Sequence, residues 1–258
     1  MQIRSEENTQ MSRSHEEPIR CASCNAQQNF TVWESINVTV DPDLKQSLLN
    51  GDLTTFRCSR CGNETHVIYN CLYHDMDNSL AVWLREEDDD EGEAAKQMFL
   101  ASTQLKTTRT VRTLHELYDK IRVFDDGLDD VEIELFKFSI CLREKLDLGL
   151  PFHYSETHTS FFGRKSLVFV VARTGDFETI SCSWKDYESA MRPLAEKVRP
   201  LIDDSTLEWA HLDRTFILRT METVGLMKAV SPSPKQRKTI RVHTIGRTPD
   251  FEDPNSTD

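Results

Sequence analysis

The amino-acid sequence predicts an α+β protein in two parts: a small four-cysteine β lobe with a helical insert, then a helical and α+β module. Three observations lead there. Two Cys-x-x-Cys pairs, Cys21/Cys24 and Cys58/Cys61, are separated by 33 residues. Short segments of two-residue apolar alternation lie between and after them, the mark of half-buried strands. Beyond the acidic run Glu86–Glu93, seven carboxylates in eight residues, the apolar spacing changes to that of helices.

The lobe reads in order as follows. Thr31–Val40 places Val32, Ile36, Val38 and Val40 on one side of a strand. Asp41 then caps a short helix with Pro42 at its first position, Leu44, Leu48 and Leu49 give it an apolar face, and Asn50-Gly51 ends it. Thr54–Arg57 is a strand leading into the second cysteine pair. His66–His74 and Leu80–Arg85 form a hairpin around Asp75–Ser79.

The module opens with a helix whose capping box is Thr113 and Glu116 and whose stripe is Leu114, Leu117, Tyr118, Ile121 and Phe124. Asp125-Asp126-Gly127 stops it, and Asp129 or Asp130 caps a second helix. There Val131, Leu135, Phe138 and Leu142 share one face while Ile133, Phe136 and Ile140 lie elsewhere, so this helix is buried on more than one side. Gly149 and Pro151 end it. Ser166–Arg173 and Phe177–Trp184 read as a hairpin. A helix from Asp186 is kinked at Pro193, Leu207–Leu212 reads as a strand, and Asp213 caps a last helix to Glu222.

These elements give an organisation of a disordered tail over 1–18, the lobe over 19–85, an acidic linker over 86–93, the module over 94–222 and a polar, mostly disordered tail over 223–258. The run of like charges repels itself and resists folding, which makes it a boundary. Of the net charge of −12, more than half is in that run, so the folded parts are only mildly acidic. No uncharged apolar stretch approaches the roughly 18 residues of a spanning helix. The polar N-terminus has no apolar leader segment. The chain is therefore expected in the cytoplasm with no membrane partner, and its seven cysteines as metal ligands or buried thiols rather than disulfides.

The two pairs point to zinc. Two residues between cysteines let both thiolates face one ion, and a tetrahedron needs four such ligands. Each knuckle requires a tight turn after its second cysteine, and Asn25 and Gly62 stand there, residue types that tolerate positive φ. Cys21, Cys24, Cys58 and Cys61 thus read as ligands of one structural zinc ion. Four thiolates close the tetrahedron and leave no position for substrate, which argues against metal catalysis.

Several stretches resemble the CpXC family. They are the Cys-x-x-Cys pair, Val32–Gly51 (VWESINVTVDPDLKQSLLNG), Cys58–Gly62, Leu72–Asp77 (LYHDMD) and Asp126–Asp130 (DGLDD). The resemblance runs from about Arg20 to Leu148. It implies a zinc-ribbon-like module with a helical extension and brings no established activity. Ala22 stands where the family name has proline; proline there pre-sets φ and donates no ligand.

Other candidates were weighed on their local chemistry. His74, Asp75 and Asp77 mark a turn able to serve as base or ligand, though a hydrogen-bonded hairpin turn accounts for them as well. Cys71, Cys141 and Cys182 read as buried thiols. No phosphate-cradling glycine motif, nucleophile elbow or HExxH is present. The sequence therefore predicts a non-catalytic zinc protein that presents a surface to a protein or peptide. The alternatives are a nucleic-acid-binding ribbon, for which Arg20, Lys45, Arg57 and Arg60 are few, or an enzyme with its site near His74–Asp77.

Overall fold

The computed structural model describes residues 12–85, 105–173, 176–202, 207–223, 225 and 243–247. Helix and strand are mixed, and the chain divides into two units, Met1–Leu114 and His115–Asp258. The acidic run Glu86–Glu93 lies outside the described residues.

The first unit is a five-stranded sheet in the order β1-β2-β5-β6-β7. Its strands are β1 (Arg13–Arg20), β2 (Gln27–Asn37), β5 (Cys71–Asp75), β6 (Leu80–Leu84) and β7 (Thr107–Val111). β5 and β6 are the expected hairpin, with Tyr73 facing Val82 in register. Both are buried almost throughout, as central strands covered on two faces are. β2 runs parallel to β5, a pairing that needs a long crossover. The crossover holds helix α1 (Asp43–Leu49) and the two-stranded ribbon β3 (Thr55–Arg57) and β4 (Glu64–His66). α1 begins one residue later than its sequence suggests. Pro42 holds the cap position with no side-chain bond, and Asp41 instead closes a turn onto the Asn37 carbonyl.

Two strands fall outside the lobe expected over 19–85. β1 occupies most of the stretch assigned to a disordered tail. It pairs antiparallel with β2, fastened by Glu16 to Thr31 (2.6 Å) and by His15 to Glu34 (3.0 Å). It carries no apolar period because it is an edge strand exposed on both faces; its charges and Pro18 blunt that edge. β7 lies beyond the acidic run and adds parallel to β6, so the first sheet reaches past the anticipated linker.

In the second unit, α2 (Leu114–Asp125) and α3 (Asp130–Glu144) precede an antiparallel sheet in the order β11-β10-β9-β8. Its strands are β8 (Phe152–Thr159), β9 (Lys165–Arg173), β10 (Asp176–Ser183) and β11 (His243–Arg247). β11 falls in the stretch assigned to the C-terminal tail and pairs with β10. α3 is capped by Asp129, whose Oδ1 accepts from the N–H groups of Val131 and Glu132. Lys145, in the left-handed region at φ 56°, ends it before Gly149 is reached.

α3 is buried around its whole circumference, and its faces meet different things. Ile133, Phe136 and Ile140 pack with Phe152, Phe169 and Ile180 of the sheet. Val131, Leu135 and Phe138 pack with Val198, Leu212, Ile217 and Met221. The third face, Asp130, Glu134 and Lys137, carries charges. Lys137 Nζ lies 3.1 Å from Asp119 and 2.7 Å from Glu134. Lys120 Nζ lies 3.2 Å from Glu134 and 3.5 Å from Asp130. All five residues are 2–3% exposed. Three carboxylates face two ammonium groups, and the positive end of α3, where Asp130 sits, offsets the surplus. Asp119 also accepts from the Tyr154 backbone N–H, tying β8 to the cluster.

The later elements run α4 (Trp184–Asp186), a π-turn Tyr187–Met191, α5 (Arg192–Val198) and α6 (Arg214–Thr223). The disturbance expected at Pro193 is the π-turn just before it. Leu207–Leu212 is not a strand. Trp209 has φ 53° in a turn, and the apolar alternation is met by burying Leu207, Trp209 and Leu212 from that turn.

Two stability outcomes follow from this core. Lys137→Met strands the Asp119 carboxylate in a buried site and should cost about 3–5 kcal/mol in urea unfolding; a loss below about 1 kcal/mol would show that the cluster is not holding the core. Burial also pushes the His153 imidazole well below its usual value, with Lys137 and His115 adding to the effect. The unfolded chain then binds the proton more readily. Stability from this group is complete above about pH 6.5 and falls as the pH drops toward the folded value, by at most about 1.4 kcal/mol per pH unit. His153→Gln should shrink that acid limb, read from unfolding curves across pH.

Candidate metal centre

The sulfurs of Cys21, Cys24, Cys58 and Cys61 come together, all within 4.8 Å of one another. They form the one group of three or more potential ligands of this kind found among the described residues. Cys21 Sγ lies 3.6 Å from Cys61 Sγ, and Cys24 Sγ 3.6 Å from Cys58 Sγ. A disulfide brings sulfurs to about 2.0 Å, so these are free thiols held apart. Four ligands about 2.3 Å from a tetrahedral ion stand about 3.8 Å from each other. The site therefore has the dimensions to hold one metal ion.

Both knuckles are built alike. The Cys21 N–H donates to the Ala26 carbonyl and the Asn25 N–H to the Cys21 carbonyl, each at 2.9 Å. In the second, the Cys58 N–H donates to the Asn63 carbonyl at 2.9 Å and the Gly62 N–H to the Cys58 carbonyl at 2.8 Å. The reversal needs positive φ after the second cysteine, and Asn25 (55°) and Gly62 (74°) supply it. The spacing and the turn residues were enough to place these four side chains from sequence.

The electrostatics fit a metal-binding cluster. Cys58 is drawn down to about 6, chiefly by the backbone N–H of Cys61 and then that of Arg60, against the opposing effect of burial. Cys24 is pushed up to about 11. The Ala26 backbone N–H alone lowers it, but burial and the thiols of Cys58, Cys61 and Cys21 outweigh that bond. Without a cation one thiolate discourages the next, and a divalent ion removes the conflict.

One residue near the cluster gave no signal in the sequence. Gln28, near the start of β2, bridges to the second knuckle. Its Nε2 donates to the Arg57 carbonyl at 2.9 Å, and its Oε1 accepts from the Ser59 N–H at 2.8 Å and the Ser59 hydroxyl at 3.0 Å. The contact spans about 30 residues of chain and joins positions on either side of Cys58, so no local pattern announces it. The apolar support is small: Cys21, Phe56 and Cys58 are the buried members of the cluster, with Ile19, Phe30 and Val67 packed around them.

His74, Asp75 and Asp77 are not among the clustered ligands. Asp75 accepts from the Asn78 N–H at 3.0 Å and from Asn78 Nδ2 at 2.8 Å, closing the turn between β5 and β6. The His74 carbonyl accepts from the Val38 N–H, and burial lowers the imidazole pKa while the Asp75 charge opposes it. Asp77 is exposed at the turn. Cys71 is buried and its thiol is pushed up to about 12 by that burial. Cys141 and Cys182 lie in the apolar core of the second unit. Burial raises both thiols, Cys182 to about 12, the reverse of what a nucleophile needs.

Comparison with known proteins agrees with the local reading. No curated protein and no solved structure matches the chain. The family model described as CpXC protein matches residues 19–137, a stretch that includes all four clustered cysteines and the first half of α3. Across that region the chain is assigned to the CpXC family.

Proposed function

We propose that this is a non-catalytic zinc-binding protein whose single ion is structural and whose folded surface serves to bind a protein or peptide. The observation that supports it is the closed set of four sulfurs at tetrahedral spacing. Cys21, Cys24, Cys58 and Cys61 would hold the ion and supply all four ligands, which leaves no coordination position for water or substrate. Zinc suits an all-thiolate tetrahedron. When bound it neutralises the thiolates and joins two knuckles that the sequence keeps 33 residues apart. A lobe with so small an apolar core needs such a clamp, because binding energy there is folding energy.

An interaction role follows from what the ion does not do, together with a composition lacking nucleotide and nucleophile motifs. The nucleic-acid alternative draws less support. Of the basic residues around the ribbon, Arg57 is paired with Glu64 at 2.5 Å and Lys45 lies 3.9 Å from Asp75. Phosphate binding calls for free cations clustered on one face.

Native mass spectrometry of chain purified without added metal or chelator tests the metal. One zinc per chain is expected, with four thiols shielded from alkylation until the chain is unfolded. A folded, metal-free chain would overturn the proposal, and co-purifying nucleic acid lost at high salt would favour the ribbon's alternative role. Gln28→Ala should leave the fold intact and weaken zinc retention about 10- to 100-fold in chelator competition, the usual effect of removing a group that orients a ligand.

A further inference from the structure

The hairpin joining β8 to β9 carries two phenylalanines at its tip. Phe161 is 99% exposed and Phe162 84%, against 49% for Leu201 and 41% for Met76, the other large exposed hydrophobics. Their rings meet edge to face, with centroids 5.5 Å apart. The turn does not need them. The Ser160 N–H donates to the Arg164 carbonyl, the Gly163 N–H to the Ser160 carbonyl, and the Arg164 N–H to Ser160 Oγ. Gly163 takes φ 73°, as in a hairpin loop closed by a left-handed glycine. That geometry specifies Ser160 and Gly163 and leaves positions 161 and 162 to polar residues, their common occupants in turns. Two large rings held in water by a hydrogen-bonded turn bury nothing within the chain, and an exposed apolar pair of this kind marks a contact.

The surrounding charge says what kind of contact. From Thr157 to Gly175 the sequence has no Asp or Glu, while Arg164 and Lys165 follow the two rings directly. His158 and Thr159 are exposed on the opposite strand, Thr159 in register with Lys165. The whole chain, by contrast, carries −12. An anionic surface therefore attracts this tip and repels the protein in general, which fixes orientation as well as affinity.

We propose that the Phe161–Phe162 tip is a membrane-contact element that seats on an anionic lipid surface. The rings enter the boundary between headgroups and acyl chains, and Arg164 and Lys165 meet the anionic headgroups. An apolar wedge beside basic side chains gives the two signals that reversible interfacial attachment requires. The feature is convex, so it inserts rather than receives. The expectation of no membrane partner rested on the lack of a spanning segment. No helix among the described residues is long and apolar enough to cross a membrane, and contact from outside needs none. The inference is independent of the zinc proposal, since the tip lies in the second unit.

Co-sedimentation of the full chain with vesicles tests it. Vesicles of equal parts phosphatidylglycerol and phosphatidylcholine should retain the protein, and phosphatidylcholine alone should not. Phe161→Ser with Phe162→Ser should lower retention at least about tenfold, and so should Arg164→Glu with Lys165→Glu. Circular dichroism and metal content should be unchanged in both, because the altered side chains are exposed. No retention by anionic vesicles, or equal retention of both variants, overturns the proposal. So does a wild-type dimer in sedimentation velocity that the phenylalanine substitutions dissociate, since a second copy would then be what covers the rings.

Discussion

Four sulfur atoms drawn to within 4.8 Å of one another govern the first unit. Thiolates that close repel each other, and the opposite displacements of Cys58 and Cys24 express the conflict. The chain meets the geometry by building the same turn twice, with matching hydrogen bonds and a left-handed residue after each pair. Two of the three fully buried residues in the local core are themselves ligands. Core and coordination sphere are thus largely the same atoms, and the ribbon, the crossover it belongs to and the parallel pairing of β2 with β5 depend on that arrangement.

The second unit solves a different problem. α3 meets a sheet, a set of helices and α2 at once, so no face is left for solvent. Apolar residues fill two faces. The third carries Asp130, Glu134 and Lys137 against Asp119 and Lys120. A buried ion network of this kind adds little net stability over an apolar equivalent. It does tolerate only one register, because a shift of one residue would leave a charge stranded. The network and the bond from the Tyr154 N–H to Asp119 therefore fix how α2, α3 and β8 align.

The family match ends at Lys137 and so takes in both the sulfur cluster and the charged residues of the network. The phenylalanine tip lies beyond it. What the matched region shares with its family is a way of folding, whereas the tip is a surface feature that the fold does not require. A metal that holds the lobe and a basic, apolar tip that meets a surface are compatible roles, since neither uses the other's residues.

The sequence alone determined the features that depend on near neighbours. Cysteine spacing and the residues after each pair gave the knuckles, because a two-residue gap and a positive φ are local demands. The β5–β6 and β9–β10 hairpins, the cap at Asp129 and the many-sided burial of α3 were legible for the same reason. Tertiary structure decided the rest. β1 has no apolar period because both of its faces are exposed, and only pairing with β2 makes it a strand. β7 and β11 likewise become strands through neighbours distant in sequence. Leu207–Leu212 shows the converse, where alternation satisfied by a buried turn imitates a strand. Gln28 reaching the second knuckle, Lys137 between Asp119 and Glu134, and two phenylalanines left in water were invisible for one physical reason. Each is set by what lies across space from a residue, and spacing along the chain does not encode it.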